Sequence, residues 1–441
     1  MTRKRRIGLA LILLASGISS LWGSLLGHNS PNSGGDFKGV YYDARCLLQH
    51  RDLYKEGEPL RVYKEENGEL PESSHGLRQV LTLNVYLPTT FIFIAPFAML
   101  PWGPAHLLWL LVTAVSFTLA AFLIWDIGAK YAPVIACGLI CFLLANSELL
   151  YGTGNAAGMA VSLCVVAVWC FLKERFVLAG VLCLAVSLAI KPHDAGLVWL
   201  YFLLAGGVFR KRALQSLALT AVLGLAAILW VTQVAPNWMQ ELHADLQGAS
   251  APGGLSNPAI DSVTGRSPAM VIDLQSALSV FRDDPRIYNP VSYLVCGALL
   301  LVWLVPSFRL RFSQRRAWFA LAAVVPLTML VTYHRPYDAK LLLLTVPACA
   351  MLWAEGGRSR WVALLVNGLG IVLAGDIPLV IFVNLYQSLH LSTVELSGKI
   401  MTVLLMRPVP LILLAMAIFY LWVYVRRGGQ DAGNGLDGKA A

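Results

Sequence analysis

Two aspartates, seven residues apart, are the residues in this chain best placed to act as a base. Asp36 and Asp43 lie within residues 36–54, a polar stretch that follows the first apolar segment. Seven residues are about two turns of an α-helix, so the two carboxylates share a face. That face borders an apolar stripe, where partial desolvation makes a carboxylate a stronger base. Such a helix is typical of a membrane surface, so either aspartate could act on a lipid-borne substrate, or both could simply keep the helix hydrated.

A second candidate group, Lys191-Pro-His-Asp194, separates two short apolar segments. Ionisable residues at membrane depth are costly, so each is a candidate for function. Pro192 breaks the helix and frees backbone groups that can line a cavity. Lys191 and His193 are predicted to bind a phosphate in that cavity.

A third group, Tyr333-His-Arg-Pro-Tyr-Asp-Ala-Lys340, lies at another junction between apolar segments. Two cations and a histidine within one short stretch suit a phosphate, and His334 and Arg335 are predicted to bind it. The alternative is an external hairpin held by ion pairs such as Arg335 with Asp338, which are common and weak at protein surfaces.

A weaker signal is Tyr151-Gly-Thr-Gly-Asn155, whose glycines allow a tight turn between apolar segments. It lacks the Lys-Ser/Thr ending of a nucleotide-binding loop, so we interpret it as a turn with a polar contact from Asn155. The secondary site candidates are Asp43, Tyr86, Asn155, Asp338 and Lys340.

The composition excludes an ordinary soluble protein, because 57% of residues are hydrophobic and only 13% are charged. The net charge of +9 comes from short basic clusters between apolar segments, which mark cytoplasmic loops rather than a nucleic-acid surface. The eight cysteines show neither a disulfide framework nor metal-ligand spacing. We therefore assign no metal site and no cofactor and expect no nucleic-acid partner. No ligand cluster in the sequence requires a divalent ion, and whether one assists the reaction stays open.

About thirteen apolar segments predict an all-α, polytopic membrane protein of about 12–13 transmembrane helices. Both termini are basic and should face the cytoplasm, which requires an even number of crossings. One segment therefore does not span by itself. The suspects are 88–101, which is short and bounded by prolines, and the pair 177–190 and 197–209, which could be one broken helix around Lys191.

Residues 1–425 are predicted to form one transmembrane domain, followed by a disordered cytoplasmic tail, 426–441. The first external loop, 28–87, carries the amphipathic helix and then a charged stretch, 55–78, that we predict to be loop-like. The second external loop, 235–289, is rich in Gly, Pro and Ser and is interpreted either as a lid or as a passive connector.

In order and spacing, these motifs resemble the polytopic GT-C glycosyltransferases, specifically family GT87, which includes polyprenol-phosphate-mannose-dependent mannosyltransferases. The resemblance covers about residues 7–345 and is carried by Asp36-Phe-Lys-Gly-Val-Tyr-Tyr-Asp-Ala44, Asp52-Leu-Tyr54, Val85-Tyr-Leu-Pro88, Ala95 to Pro101, Gly154-Asn155, Ala189-Ile-Lys-Pro192 and Tyr333 to Asp338. Two motifs depart from the family: Tyr-Pro-Pro is here Tyr86-Leu-Pro88, and Gly-Gln-x-Asn is here Gly152-Thr-Gly-Asn155.

The resemblance implies an inverting transfer of a hexose or pentose, with mannose favoured, from a polyprenyl-phosphate donor to a lipid or glycan acceptor. It also implies that an acid of the first external loop is the base, and Asp36 is the matching position. A sugar phosphate already carries a good leaving group, so the chemistry needs only a base for the acceptor and cations for the phosphate.

A transporter or flippase of lipid-linked sugars is the alternative, because broken helices with buried charges are also transporter features. No inverted repeat is visible in the sequence, which favours the enzyme. The sequence also lacks Asn-x-Ser/Thr acceptor sites. We therefore expect a bacterial inner (plasma) membrane, with both termini cytoplasmic and the site periplasmic.

Overall fold

A computed structural model of the chain describes residues 3–28, 34–71, 74–259, 271–309, 312–389 and 395–437. Regular secondary structure in these ranges is helical, which confirms the predicted all-α class. The helices of the first part are α1 (Arg3–His28), α2 (Gly35–Leu48), α3 (Glu58–Asn67), α4 (His75–Thr82), α5 (Pro88–Ala98), α6 (Trp102–Gly128), α7 (Pro133–Ala145), α8 (Glu148–Thr153), α9 (Ala157–Lys173) and α10 (Val177–Ile190).

The second part continues with helices and one segment of 3-10 helix. These are α11 (Pro192–Leu204), α12 (Gly207–Val234), α13 (Trp238–Ser250), α14 (Leu274–Ser279), α15 (Pro285–Arg309), α16 (Gln314–Val331), the 3-10 helix Asp338–Thr345, α17 (Val346–Glu355), α18 (Ser359–Leu373), α19 (Asp376–Leu389), α20 (Leu396–Met406) and α21 (Pro408–Asp437).

Within the described residues, six stretches are long and apolar enough to cross a membrane, which confirms a polytopic membrane protein. They are Arg5–Leu25, Trp102–Gly128, Pro133–Thr153, Gly207–Val234, Pro285–Arg309 and Pro408–Arg426. Other apolar helices are shorter: α5 has 11 residues, about 16 Å, and cannot span alone. The chain also breaks between α10 and α11 at Lys191, as the proline beside it predicted.

The helix α2 is amphipathic as predicted, but both of its sides are largely covered by protein. It packs against α3, α4, α5 and α8. Phe37 stacks on Trp109 with ring centroids 4.7 Å apart, and Tyr41 donates to the carbonyl of Leu100 at 2.8 Å. Because the apolar stripe is used for packing inside the protein, α2 has a fixed position rather than floating on a lipid surface.

The charged stretch 55–78 is not loop-like, and that prediction was wrong. It contains α3 and α4, because Val62 and Leu77 are buried beneath the charged surface. On that surface Arg61 bridges Glu58 at 3.0 Å and Glu65 at 3.4 Å, at helical spacings. The buried apolar residues are few and widely spaced in this stretch, so the many charged residues masked the helical periodicity.

The second long loop contains α13 and α14. It is anchored by hydrogen bonds from an arginine in the C-terminal part of the chain. Arg407 is 2% exposed and donates to the carbonyls of Pro258 and Ser276 and to Ser279 Oγ. Residues 260–270, which belong to the Gly, Pro and Ser-rich part of this predicted lid, lie outside the described residues.

The last helix, α21, extends to Asp437, through most of the segment predicted as a disordered tail, 426–441. Once a helix is nucleated by an embedded span, each added residue forms one backbone hydrogen bond for one residue fixed, which is less costly than starting a new helix. Residues 438–441 lie outside the described part of the chain.

Candidate active site

A cavity of about 380 Å³ lies between α2, α4, α13 and the break that joins α10 to α11. It brings together residues from six separate parts of the sequence. Of the predicted site residues, those on its wall are Asp36, Asp43, Tyr86, Asn155, Lys191, His193 and Arg335. Acidic and basic groups that are far apart in sequence therefore share one enclosed space.

Asp36 is held at the first turn of α2 by the turn that follows α8. Asn155 Nδ2 donates to Asp36 Oδ2 at 2.9 Å, and Asn155 Oδ1 accepts from the Ala157 amide at 2.8 Å. Gly154 has φ 65°, and a Cβ there would lie 2.9 Å from the Cβ of Phe37. Only glycine lets this turn approach α2 so closely. Asn155 therefore makes the predicted polar contact, although the turn lacks the glutamine of the Gly-Gln-x-Asn motif that it resembles.

Lys191 is 7% exposed and lies among acidic groups. Its Nζ donates to Asp338 Oδ1 at 2.5 Å and lies 3.8 Å from Asp194 Oδ2. The other oxygen of Asp338 accepts from the backbone amide of Arg335 at 2.8 Å. The predicted partnership of Arg335 with Asp338 thus runs through the backbone, and the side-chain ion pair of Asp338 is with Lys191.

The Arg335 side chain connects the cavity to the second long loop. Its Nη2 donates to the Leu255 carbonyl at 2.9 Å, and its guanidinium lies 5.6 Å from the ring centroid of Tyr333. Tyr333 Oη donates to the same carbonyl at 3.3 Å. Arg335 Nε is buried and has no hydrogen-bond partner. A donor of this kind on a cavity wall is suited to an anionic ligand.

His193, Asp194 and His334 form a compact group whose ligand atoms lie within 4.8 Å of one another. His334 Nδ1 bonds to the Thr332 carbonyl at 2.7 Å, and its Nε2 lies 3.2 Å from Asp194 Oδ1. Two imidazoles and a carboxylate could hold a divalent ion. The Lys191 ammonium, 3.8 Å from Asp194 Oδ2, already supplies positive charge beside this carboxylate. The absence of a metal from this group stays a prediction.

The two histidines occupy different positions relative to the cavity. His193 is on the wall, whereas His334 is 0% exposed and lies behind it, with the two ring centroids 4.9 Å apart. Direct contact of His334 with a phosphate stays a prediction. Lys340 is also buried, donates to the Asn146 carbonyl and does not line this cavity.

Asp43 is the second carboxyl on the cavity wall and is almost fully buried, with 3% exposure. Burial holds the pKa of Asp43 well above its usual value, and the nearby carboxylate of Asp245 on α13 raises it further. Burial also raises the pKa of Asp245 to about 6, against the opposing effect of the Asn84 backbone amide, which donates to it at 3.0 Å. Each carboxyl group therefore takes up a proton at a higher pH in the folded protein than in the unfolded chain.

The Asp245→Asn variant should make stability less dependent on pH. The folded pKa is about 6, whereas an unfolded aspartate titrates at about 3.9. The stabilising contribution of the protonated group is complete below about pH 4 and is lost as the pH rises through about 6. Between about pH 4 and pH 7, the melting temperature should fall less in the variant than in the native protein, by roughly 2–4 °C; equal falls would contradict the assignment.

Asp194 and Asp245 take part in the site without having been predicted for it. Asp194 was visible in its sequence group, and the proximity of a lysine and a histidine could have marked it as their counter-ion. Asp245 lies in an ordinary polar helix of the second long loop, α13, and no local pattern distinguishes it. Only the packing of α13 near α2 gives it a role.

The membrane-spanning helices and the cavity, with its carboxylates and cations, are the architecture of a polytopic membrane protein with a candidate active site. The model of glycosyltransferase family 87 matches residues 84–333, more than half of the chain, and the chain belongs to that family. The match includes Asn155 and Lys191, begins after α2 and ends directly before His334. No curated protein matches the chain. Family membership confirms the predicted enzyme class over the transporter.

Proposed function

We propose that the protein transfers a hexose or pentose, with mannose favoured, from a polyprenyl-phosphate donor to a lipid or glycan acceptor, with inversion. Asp36 takes the proton of the acceptor hydroxyl, and the acceptor oxygen forms a bond to the anomeric carbon. The bond from that carbon to the phosphate oxygen breaks, and polyprenyl phosphate leaves with the electron pair. The reaction needs no oxidant and no substrate other than the donor and the acceptor.

The observation that carries the proposal is the placement of Asp36, Lys191 and Arg335 on one cavity wall. The base must reach the acceptor and the cations must reach the departing phosphate at the same moment, so a shared space is the minimal requirement. His193 also faces this space. We assign the phosphate to Lys191, His193 and Arg335, with His334 acting in the same group from behind the wall.

The enzyme would work at the external face of a bacterial inner membrane, with both termini in the cytoplasm. The basic N-terminal residues 3–6 and the pair Arg426-Arg427 support this orientation. The long loops that surround the cavity would then lie outside. A donor delivered from the bilayer could enter the cavity beside the break at Lys191, where the helices are short.

The direct test is to give the purified protein a panel of polyprenyl-phosphate sugars and an extract of membrane lipids and glycans as acceptor. Release of polyprenyl phosphate with one sugar of the panel is expected. A result in which no member of the panel is consumed, although the protein is folded, would contradict the proposed donor class. Analysis of the anomeric configuration in the product tests inversion.

Transfer is expected to proceed without a divalent ion. Lys191 neutralises the acidic group in which a metal would sit, and it lies 3.8 Å from Asp194 Oδ2. Assays with an excess of EDTA should therefore keep the full rate, and Mg²⁺ or Mn²⁺ should change the rate by less than about twofold. Loss of activity in EDTA that Mn²⁺ restores would show that His193, Asp194 and His334 hold a metal instead.

A further inference from the structure

The cavity extends along α2 beyond the proposed site of transfer. Asp36 and Asp43 are two helical turns apart, about 10 Å along the helix axis, and both line the cavity. The part near Asp43 is called the distal arm here. Its lining residues are Gly39, Asp43, Val80, Leu83, Leu246 and Ala249.

The distal arm has apolar walls and one polar side chain. Gly39 lets α4 approach α2 closely, since a Cβ there would lie 2.5 Å from Val80 Cγ1. Val80 and Leu83 come from α4 and its end, and Leu246 comes from α13. Within this apolar surface, Asp43 is the side chain that can form a directed hydrogen bond with a ligand.

The Asp43 carboxyl lacks a partner for one of its oxygens. Oδ1 is buried and makes no hydrogen bond, and the residue as a whole is only 3% exposed. A buried polar atom without a partner is costly, and native proteins seldom keep one without a use. Because Asp43 lines the cavity, a ligand in the arm can supply the missing partner after a small rotation of the carboxyl group.

The charge around Asp43 determines which ligand fits. Burial and the Asp245 carboxylate raise its pKa, which favours the protonated form, and a protonated carboxyl group can both donate and accept. A hydroxyl group has the same two capacities. A phosphate or carboxylate would instead meet the acidic Asp43, with the Asp245 carboxylate nearby, away from the cations Lys191 and Arg335.

We propose that Asp43 hydrogen-bonds a hydroxyl group of the acceptor, and that the acceptor is an uncharged glycan, or a glycolipid headgroup, of at least two sugar rings. This inference rests on the proposed function, because it takes Asp36 as the point of attack. The distance of about 10 Å along α2 is more than one sugar ring spans. A second ring is therefore needed to reach Asp43 when the first offers its hydroxyl to Asp36.

The test measures sugar binding separately from turnover, so that failure of the donor chemistry does not affect it. Methyl glycosides of mannose, glucose and galactose, and the matching disaccharides, are titrated into the protein in lipid nanodiscs and followed by saturation-transfer NMR. At least one disaccharide should bind about tenfold more tightly than its monosaccharide. Equal affinity of both throughout the panel would overturn the inference.

Three variants distinguish a hydrogen bond from a shape effect. Asp43→Leu, similar in size, should remove the tenfold preference for the disaccharide, while Asp43→Asn should keep it within about threefold because an amide also donates and accepts. Glu241→Gln, a change in an acid of α13 that does not line the cavity, is the control and should keep it as well. All three should bind a short-chain polyprenyl phosphate like the native protein. An unchanged preference in a folded Asp43→Leu variant would exclude the assigned contact.

A failure of the proposed function has a different signature. If polyprenyl-phosphate sugars are not consumed but the disaccharide preference depends on Asp43, the arm is a glycan site of an enzyme with another donor. If donor is consumed and the preference is absent, the transfer proposal stands and the inference about Asp43 is wrong.

Discussion

Replacing Asp36 with asparagine is expected to lower the rate of sugar transfer about 10²–10⁴-fold, the usual contribution of a general base. The amide has the size of the carboxyl group, and its oxygen can still accept from Asn155 Nδ2, which now lies 2.9 Å from Asp36 Oδ2. What the variant loses is the ability to take a proton from the acceptor. The measurement is transfer from a labelled lipid-linked sugar in vesicles or nanodiscs.

The kinetic constants of the Asp36→Asn variant separate this role from a binding role. The KM for donor should change by less than about threefold, because the phosphate contacts come from other residues, and kcat should carry the loss. Asn155→Ala is the matched control: it removes the contact that orients the carboxylate but keeps the base, so a smaller loss of about tenfold is expected. Native activity in a folded Asp36→Asn variant would remove Asp36 from the mechanism.

The position of the candidate base could be predicted from sequence because it depends on one local pattern. The helical period of α2 places Asp36 and Asp43 on one face, and both line the cavity. The partners of these side chains could not be predicted in the same way. Asn155 lies 119 residues from Asp36, and Asp338 lies 147 residues from Lys191. Such contacts depend on how distant helices pack, and no local pattern specifies that packing.

In two places the charged residues led to a wrong structural interpretation, because the structure there depends on packing and not on composition. The segment 55–78 has so many charged residues that its few buried apolar side chains gave no periodic signal, yet it forms two helices. The group at residues 333–340 is the second such place. In the sequence Arg335 and Asp338 look like an ion pair at the surface, but Asp338 is 1% exposed and pairs with Lys191. In both places the structure depends on contacts with remote residues.

Removing the charge of Lys191 is expected to weaken both donor binding and the fold. In Lys191→Met, Asp338 and Asp194 lose the cation that lies 2.5 Å and 3.8 Å from their oxygens. Breaking a buried ion pair from one side costs about 3–5 kcal/mol. Loss of a charged hydrogen bond to the phosphate should raise the KM for donor about 10–100-fold. Thermal unfolding and donor titration measure the two effects independently.

A second substitution shows whether Lys191 binds the phosphate or only neutralises its acidic neighbours. In the double variant Lys191→Met with Asp338→Asn, the unpaired charge at 338 is gone, so much of the lost stability should return. The phosphate still lacks its cation, so the KM for donor should stay at least tenfold above the native value. If donor affinity recovers together with stability, Lys191 is a structural counter-ion and the phosphate must depend on Arg335 and His193. If only stability recovers, the Lys191 ammonium both neutralises the neighbouring acids and binds the donor phosphate. The phosphate would then compete with those acids for a cation that the fold already positions at the cavity wall.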